Sequence, residues 1–257
     1  MSRRDEVLDA LVAMSQFLGD PSRDYVILGE GNTSARIDDE TFFVKASGTR
    51  LGGIQRQGFV AVRNAPVLEM LDAGELSDQE IDERLMAARV DQRGPVKPSV
   101  ETLFHAWLLT QPGISFIGHT HPTAVNSIMC SRGWRDVIQG RIFPDEIVYC
   151  GVAPAYLEYT DPGCALARAI RKTVEEYRDR QGVCPKVVLM QNHGLIALGA
   201  TPGEVQDITQ MWVKVARVLA GTQAFGGPHF FSEENVARLH SRPDEEYRRR
   251  VARAEGR

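Results

Sequence analysis

The sequence predicts one α/β domain, and three observations carry that expectation. With 257 residues, 43% of them apolar, the chain can bury a sizeable core. Stretches of helical period alternate with short apolar runs bounded by glycine, proline, asparagine and aspartate. No internal repeat, low-complexity tract or linker interrupts them, so residues 1–257 should form a single domain, with a core over about residues 5–220 and a helical extension behind it.

In chain order, Val7, Leu8, Leu11, Val12, Met14, Phe17 and Leu18 recur at helical spacing and predict an amphipathic helix over 5–18. Gly19-Asp20-Pro21-Ser22 ends it, and Tyr25-Val26-Ile27-Leu28 reads as a buried strand leading into the turn Gly29-Glu30-Gly31-Asn32-Thr33-Ser34. Residues 35–38 should pair back as a hairpin onto 41–46, beyond which Ser47-Gly48-Thr49-Arg50 forms a second small-residue turn. Residues 59–62 predict a strand, 67–71 and 78–90 predict helices, and 91–98, with two prolines, predicts a loop. Ser99 reads as the N-cap of a helix with Glu101 and Thr102 in its first turn, running through Leu103, Phe104, Trp107 and Leu108. A strand over 116–121, a helix over 122–130, a loop and strand over 142–150 and an irregular stretch over 156–162 follow. Residues 163–180 form an amphipathic helix, and 187–199 form two strands broken at Asn192-His193-Gly194. Thr201 caps, and Pro202 opens, a helix to Ala220. From Ser232 the chain is helical and increasingly charged, with Arg248, Arg249, Arg250 and Arg253 as a solvated helix end.

The chemistry concentrates in Phe116-Ile117-Gly118-His119-Thr120-His121-Pro122. Side chains at i and i+2 of a strand share a face, which puts His119 and His121 roughly 6.5–7 Å apart along the backbone. Two imidazoles so placed can share one metal ion. Ligation by imidazole alone, with an open position, suits catalytic Zn(II) or a related divalent ion. His193, at the polar break of the 187–199 strands, is the candidate third ligand. Each histidine alone reads more readily as a satisfied core residue than as a ligand; the three together point to a metal. Glu101 has two readings, a helix N-terminal charge or a general base near the metal with its pKa raised by burial. His105, one turn further on, packs against or orients it. The Gly29–Ser34 turn offers backbone N–H groups able to cradle a phosphate, although most glycine-rich turns need the same residues only for their own geometry.

Composition narrows the partners. A net charge of -4 and the absence of a long basic run argue against nucleic acid. No apolar stretch is long enough to span a membrane, and the polar start is not followed by a signal-peptide core, so a cytoplasmic protein is expected. Cys130, Cys150, Cys164 and Cys184 form no C-x-x-C pair, which indicates neither a thiolate metal site nor a disulfide framework.

Taken together, Gly29-Glu30-Gly31-Asn32-Thr33-Ser34, Val44-Lys45-Ala46-Ser47-Gly48-Thr49, Pro98-Ser99-Val100-Glu101, His119-Thr120-His121 and Asn192-His193-Gly194 resemble, in order and spacing, the class II aldolase/adducin superfamily. The resemblance spans residues 5–219 and is nearest to the zinc-dependent fuculose and rhamnulose 1-phosphate aldolases. It implies a three-layer α/β/α domain with a central, largely antiparallel sheet, assembled as a homotetramer with active sites between subunits. It further implies that His119, His121 and His193 hold Zn(II) or another divalent metal. Glu101 is then the catalytic base, and Gly31, Asn32, Ser47, Gly48 and Ser99 bind the substrate phosphate. The implied reaction is cleavage of a ketose 1-phosphate to dihydroxyacetone phosphate and an aldehyde through a metal-stabilised enediolate.

Two departures bear on the substrate. Where the fuculose-type enzymes carry two serines before the glutamate, the second here is Val100. Their tyrosine proton donor has no counterpart in 133–140, which leaves Tyr149, Glu146 or Arg141 as candidates. A decarboxylase or 4-epimerase of a phosphorylated sugar or sugar acid would use the same metal and base, and Lys45 and Arg50 would favour the decarboxylase if they face the site. A non-catalytic adducin-like interaction module is the remaining alternative, disfavoured by retention of all three histidines and Glu101.

Overall fold

Alternation along the strands sorts the apolar side chains into two cores, one on each face of a sheet. The computed structural model describes residues 2–244 and Tyr247; the arginine-rich end lies outside them. The strands are β1 (Asn32–Arg36), β2 (Thr41–Lys45), β3 (Phe59–Arg63), β4 (Phe116–Thr120), β5 (Ala155–Leu157), β6 (Val187–Met190) and β7 (Gly194–Gly199). They run in the order β3-β2-β1-β4-β7-β6-β5, antiparallel throughout except for the β5–β6 pair. In β7, Ile196 and Leu198 enter one core while Leu195 and Ala197 enter the other.

The first core is covered by α2 (Asn64–Asp72), α3 (Asp78–Ala88), α4 (Thr102–Leu109) and α8 (Cys164–Gln181). Against the second pack α1 (Arg3–Leu18), α5 (Thr123–Met129), α6 (Trp134–Ile138), α7 (Pro144–Cys150) and α9 (Pro202–Thr222), with α10 (Glu233–His240) lying on α7. This is the three-layer α/β/α arrangement with a largely antiparallel sheet. The long helices start where the sequence puts their caps. Ser2 and Ser77 each form a capping box, and Thr201 caps α9 with Pro202 at its first position. Among the described residues, no helix is long and apolar enough to cross a membrane.

Four expectations are corrected. Residues 25–28 are not a strand: Tyr25 and Val26 are buried, but Ile27 and Leu28 are 61% and 68% exposed, and Leu28 takes a left-handed φ of 51°. The chain crosses the end of β4 there, and the Tyr25 carbonyl accepts from the His121 N–H at 2.9 Å. Strand pairing begins instead at Asn32, inside the segment read as a turn. Residues 144–150 form helix α7 and not a strand, because Pro144 opens it and Asp145 and Glu146 sit in its first turn. Within the stretch read as irregular, Tyr156 and Leu157 belong to edge strand β5, paired parallel to β6. Lastly, Ser99 is not the N-cap of α4. The helix starts at Thr102 with Glu101 at the cap, and Ser99 Oγ accepts from the Glu101 N–H at 3.3 Å in a turn that precedes it.

Candidate active site

The alternation of β4 decides which face the site occupies. Ile117 belongs to the α4 side, and His119, two residues on, follows it. Gly118 points the other way, where a Cβ would meet Val205 and Leu18. His119 is wholly buried and sets its ring edge-on to Phe104 of α4. His121 lies one residue past the strand, and His193 lies in the turn between β6 and β7. That turn is made by Asn192 at φ 52°, which donates its N–H to the Met129 carbonyl at 3.3 Å. Pairing of β4 with β7 then brings the three rings together, with centroids 4.7, 4.8 and 5.0 Å apart. Gly194 is required for this approach, since a Cβ there would meet the Thr120 carbonyl and stand 2.8 Å from His121 Cδ2.

The ring nitrogens fit a divalent metal. One ligand atom from each of His119, His121 and His193 lies within 4.8 Å of the others. His119 Nδ1–H donates to the Leu195 carbonyl at 2.9 Å, which leaves Nε2 facing inward, 2.9 Å from His121 Nε2. His193 also turns Nε2 inward, 3.6 Å from Glu101 Oε1. Three imidazole donors suit Zn(II) and related ions.

Glu101 stands at the same point. Its Oε1 is 3.2 Å from His119 Nε2. The carboxylate therefore serves the histidine cluster and not the helix N-terminus, although Glu101 occupies the cap of α4. Its pKa runs opposite to the expected rise. Burial alone pushes the carboxyl up, but the charge and hydrogen bond of His119 and the hydrogen bond of His193 outweigh burial and hold it well below the usual range. Burial pushes His119 down, and the facing Glu101 more than restores it, leaving its pKa raised. Each group thus favours the charged form of the other. Desolvation, with the neighbouring histidines adding to it, takes His121 down to about 3. His105 is also held at about 3, chiefly by burial, with Nδ1 2.7 Å from Ser34 Oγ.

Of the residues mapped to phosphate, Gly31 and Asn32 adjoin His119 and Ser99 adjoins Glu101. Gly31 has φ 73° and packs so closely that a Cβ would stand 2.8 Å from the His119 carbonyl. Asn32 pairs in register with His119, and its buried amide has neither atom bonded. Ser47 and Gly48 form an exposed turn, tied to the Ser99 segment by the Ala46–Pro98 bridge and by the Ser47 N–H, which donates to the Lys97 carbonyl at 2.8 Å. Lys45 joins the two turns: its buried ammonium donates to the Gly29 carbonyl at 3.2 Å and the Thr49 carbonyl at 2.7 Å, and its charge acts on Glu101, His119 and His121. Arg50 is exposed.

The candidate proton donors lie elsewhere. Arg141 and Glu146 are buried on the opposite face, joined at 2.7 Å. Arg141 also donates to the Gly151 and Cys150 carbonyls and covers Trp212, while Glu146 accepts from the Ile142 N–H. Tyr149 packs with that same core. One neighbour of the cluster escaped the sequence reading, namely Glu30, whose Oε1 is 3.8 Å from His121 Nδ1. Its signal was present, as the one charged residue in a turn of small and polar ones.

The family description "Class II Aldolase and Adducin N-terminal domain" matches residues 9–220. The uncharacterized oxidoreductase YuxG of Bacillus subtilis is 27% identical over 202 residues, covering 76% of this chain but only 27% of that protein. The 3-oxo-tetronate 4-phosphate decarboxylase of Haemophilus influenzae is 26% identical over 197 residues, 76% of this chain and 79% of the relative. A solved N-terminal class II aldolase domain from Thermoplasma acidophilum superposes with a TM-score of 0.67 at 25% identity, over 86% of this chain and 99% of that one. The chain belongs to the class II aldolase and adducin family.

Proposed function

We propose that the protein is a metal-dependent carbon–carbon lyase that acts on a phosphorylated sugar or sugar acid and releases dihydroxyacetone phosphate by way of its enediolate. The observation that carries this reading is the convergence of Glu101 Oε1 with three inward-facing imidazole nitrogens. A divalent ion held by His119, His121 and His193 supplies Lewis-acid charge where negative charge develops on the substrate oxygens. Glu101 moves the proton at the substrate carbon, giving it to the enediolate to complete the product and taking it back in reverse. The buried, unpaired amide of Asn32, with Gly31 and the Ser47-Gly48 and Ser99 turns, receives the phosphate.

Two bond cleavages lead to that enediolate. Aldol cleavage of a ketose 1-phosphate needs a group to take the proton of the departing hydroxyl. Arg141, Glu146 and Tyr149 lie on the other face, and in this version a neighbouring subunit of the proposed homotetramer supplies that group. Decarboxylation of a 3-oxo acid phosphate needs no such group. The carbon–carboxylate bond breaks, its electron pair stays on the ketone as the enediolate, and carbon dioxide leaves. Lys45, whose buried ammonium donates to the Gly29 and Thr49 carbonyls and bears on Glu101, serves either version. The relative in Haemophilus influenzae named for a decarboxylation supports the second.

The test is product analysis with zinc-loaded protein. Release of carbon dioxide from 3-oxo-tetronate 4-phosphate, with no aldehyde formed from fuculose or rhamnulose 1-phosphate, is expected. Aldehyde release from a ketose 1-phosphate alone would return the assignment to aldolase, and no turnover of any of them would contradict the lyase reading.

A further inference from the structure

The 24–31 segment is tied at one end to His121 and at the other to Lys45. Its Tyr25 carbonyl accepts from the His121 N–H, and its Gly29 carbonyl accepts from Lys45. Between these points, Glu30 closes a ring on its own loop: its Oε2 accepts from the Ile27 N–H at 2.9 Å, while the Glu30 N–H donates to the Ile27 carbonyl at 3.0 Å. That ring fixes the carboxylate and leaves Oε1 directed at His121 Nδ1, 3.8 Å away.

The tautomer of His121 makes this contact consequential. Its Nε2 faces His119 Nε2 at 2.9 Å, on the side where the three ligand nitrogens meet. A neutral imidazole that uses Nε2 as acceptor or ligand must carry its proton on Nδ1. The nearest carboxylate oxygen to that nitrogen is Glu30 Oε1, at 3.8 Å. For His119 the outer partner is the Leu195 carbonyl, in a direct hydrogen bond of 2.9 Å. Outer partners of this kind fix ring orientation and raise the basicity of the ligating nitrogen.

We infer that Glu30 is a positioning residue for the metal centre: it holds His121 as the Nδ1–H tautomer with Nε2 presented to the ion, and couples the exposed 27–28 loop to metal occupancy. The inference rests on the metal reading above, and its test separates the two. Zn(II) affinity of the full chain is measured by competition with a chromophoric chelator. Glu30→Ala is expected to weaken it by about 10- to 100-fold, the range for loss of an outer partner, and Glu30→Gln, which keeps one acceptor oxygen, by distinctly less. In the zinc-loaded parent, nitrogen-resolved NMR is expected to give an exchange-protected Nδ1 proton at His121, lost in Glu30→Ala. A loosened loop alone would lower affinity without moving that proton signal, and this outcome, like an affinity within twofold of the parent, overturns the inference. A parent that binds no zinc contradicts the proposed function instead.

Discussion

Glu101 Oε1 lies 3.2 Å from Nε2 of His119, so the residue read as base and the most buried of the three histidines face one another across the place where a metal would sit. Their opposed pKa shifts record that pairing in the metal-free protein. A divalent ion would replace the imidazolium proton as the positive partner of the carboxylate.

Metal content is the first consequence. The purified protein should carry about one divalent ion per chain, as a single site of converging imidazoles requires. His121→Ala should lose it while leaving the fold intact, because His121 lies beyond the end of β4 and contributes little to either core. Elemental analysis with circular dichroism checks both parts; retained metal in the variant would remove His121 from the ligand set.

Acidification should unfold the metal-free protein earlier than an ordinary domain of this size. His105 and His121 are held at about 3, against 6.5 in the unfolded chain. A histidine kept neutral by folding contributes stability that is full above 6.5 and is lost as pH falls toward 3, at about 1.4 kcal/mol per pH unit for each group. His119, whose pKa is raised, has the opposite sign: its contribution is full below 6.5 and is lost as pH rises through its folded value. Melting temperature should therefore drop steadily from pH 6.5 to 4, and less steeply in His105→Gln. A flat profile would contradict the burial of neutral imidazoles.

Gly31→Ala should destabilise the protein by about 2 to 4 kcal/mol, combining left-handed backbone strain with overpacking. The added Cβ meets the His119 carbonyl, so loss of metal should accompany the loss of stability. Denaturant titration of the metal-free variant isolates the backbone effect; a change under about 0.5 kcal/mol, the scale of a neutral surface substitution, would contradict the packing.

Glu146→Ala should cost about 3–5 kcal/mol by leaving the buried Arg141 charge unpaired. Metal affinity should be unchanged, since the pair lies on the opposite face of the sheet. A variant with normal stability and altered turnover would return Glu146 to the chemistry.

Much of this was legible in the sequence because periodicity and caps are local. The 5–18 helix, the 35–46 hairpin and the Thr201-Pro202 helix start each follow from side chains a few residues apart. The histidine pair was equally local, since strand alternation alone puts His119 and His121 on one face. His193 was picked out by the polar break it makes in an apolar run, but its meeting with His119 and His121 depends on β7 lying beside β4, which spacing alone does not give. The errors have separate causes. Tyr25-Val26-Ile27-Leu28 is a short apolar run whose state is decided by a tertiary partner, the end of β4, whereas in 144–150 the apolar Ile147 and Val148 masked the local helix start at Pro144-Asp145-Glu146. Glu30 and Lys45 acquire their meaning only through contacts with a histidine and two carbonyls that the fold delivers.

The central claim, that Glu101 and the histidine cluster make and protonate an enediolate, is tested most directly by proton exchange without any leaving group. Zinc-loaded protein incubated in deuterated water with dihydroxyacetone phosphate should exchange one hydrogen of the hydroxymethyl carbon, because exchange needs only the metal and the base. Glu101→Gln keeps the size of the side chain and removes its basicity. It should lower the exchange rate by at least about 10²-fold with metal content unchanged. Absence of exchange in metal-loaded parent protein would contradict the account, and exchange that persists in Glu101→Gln would take the base role from Glu101.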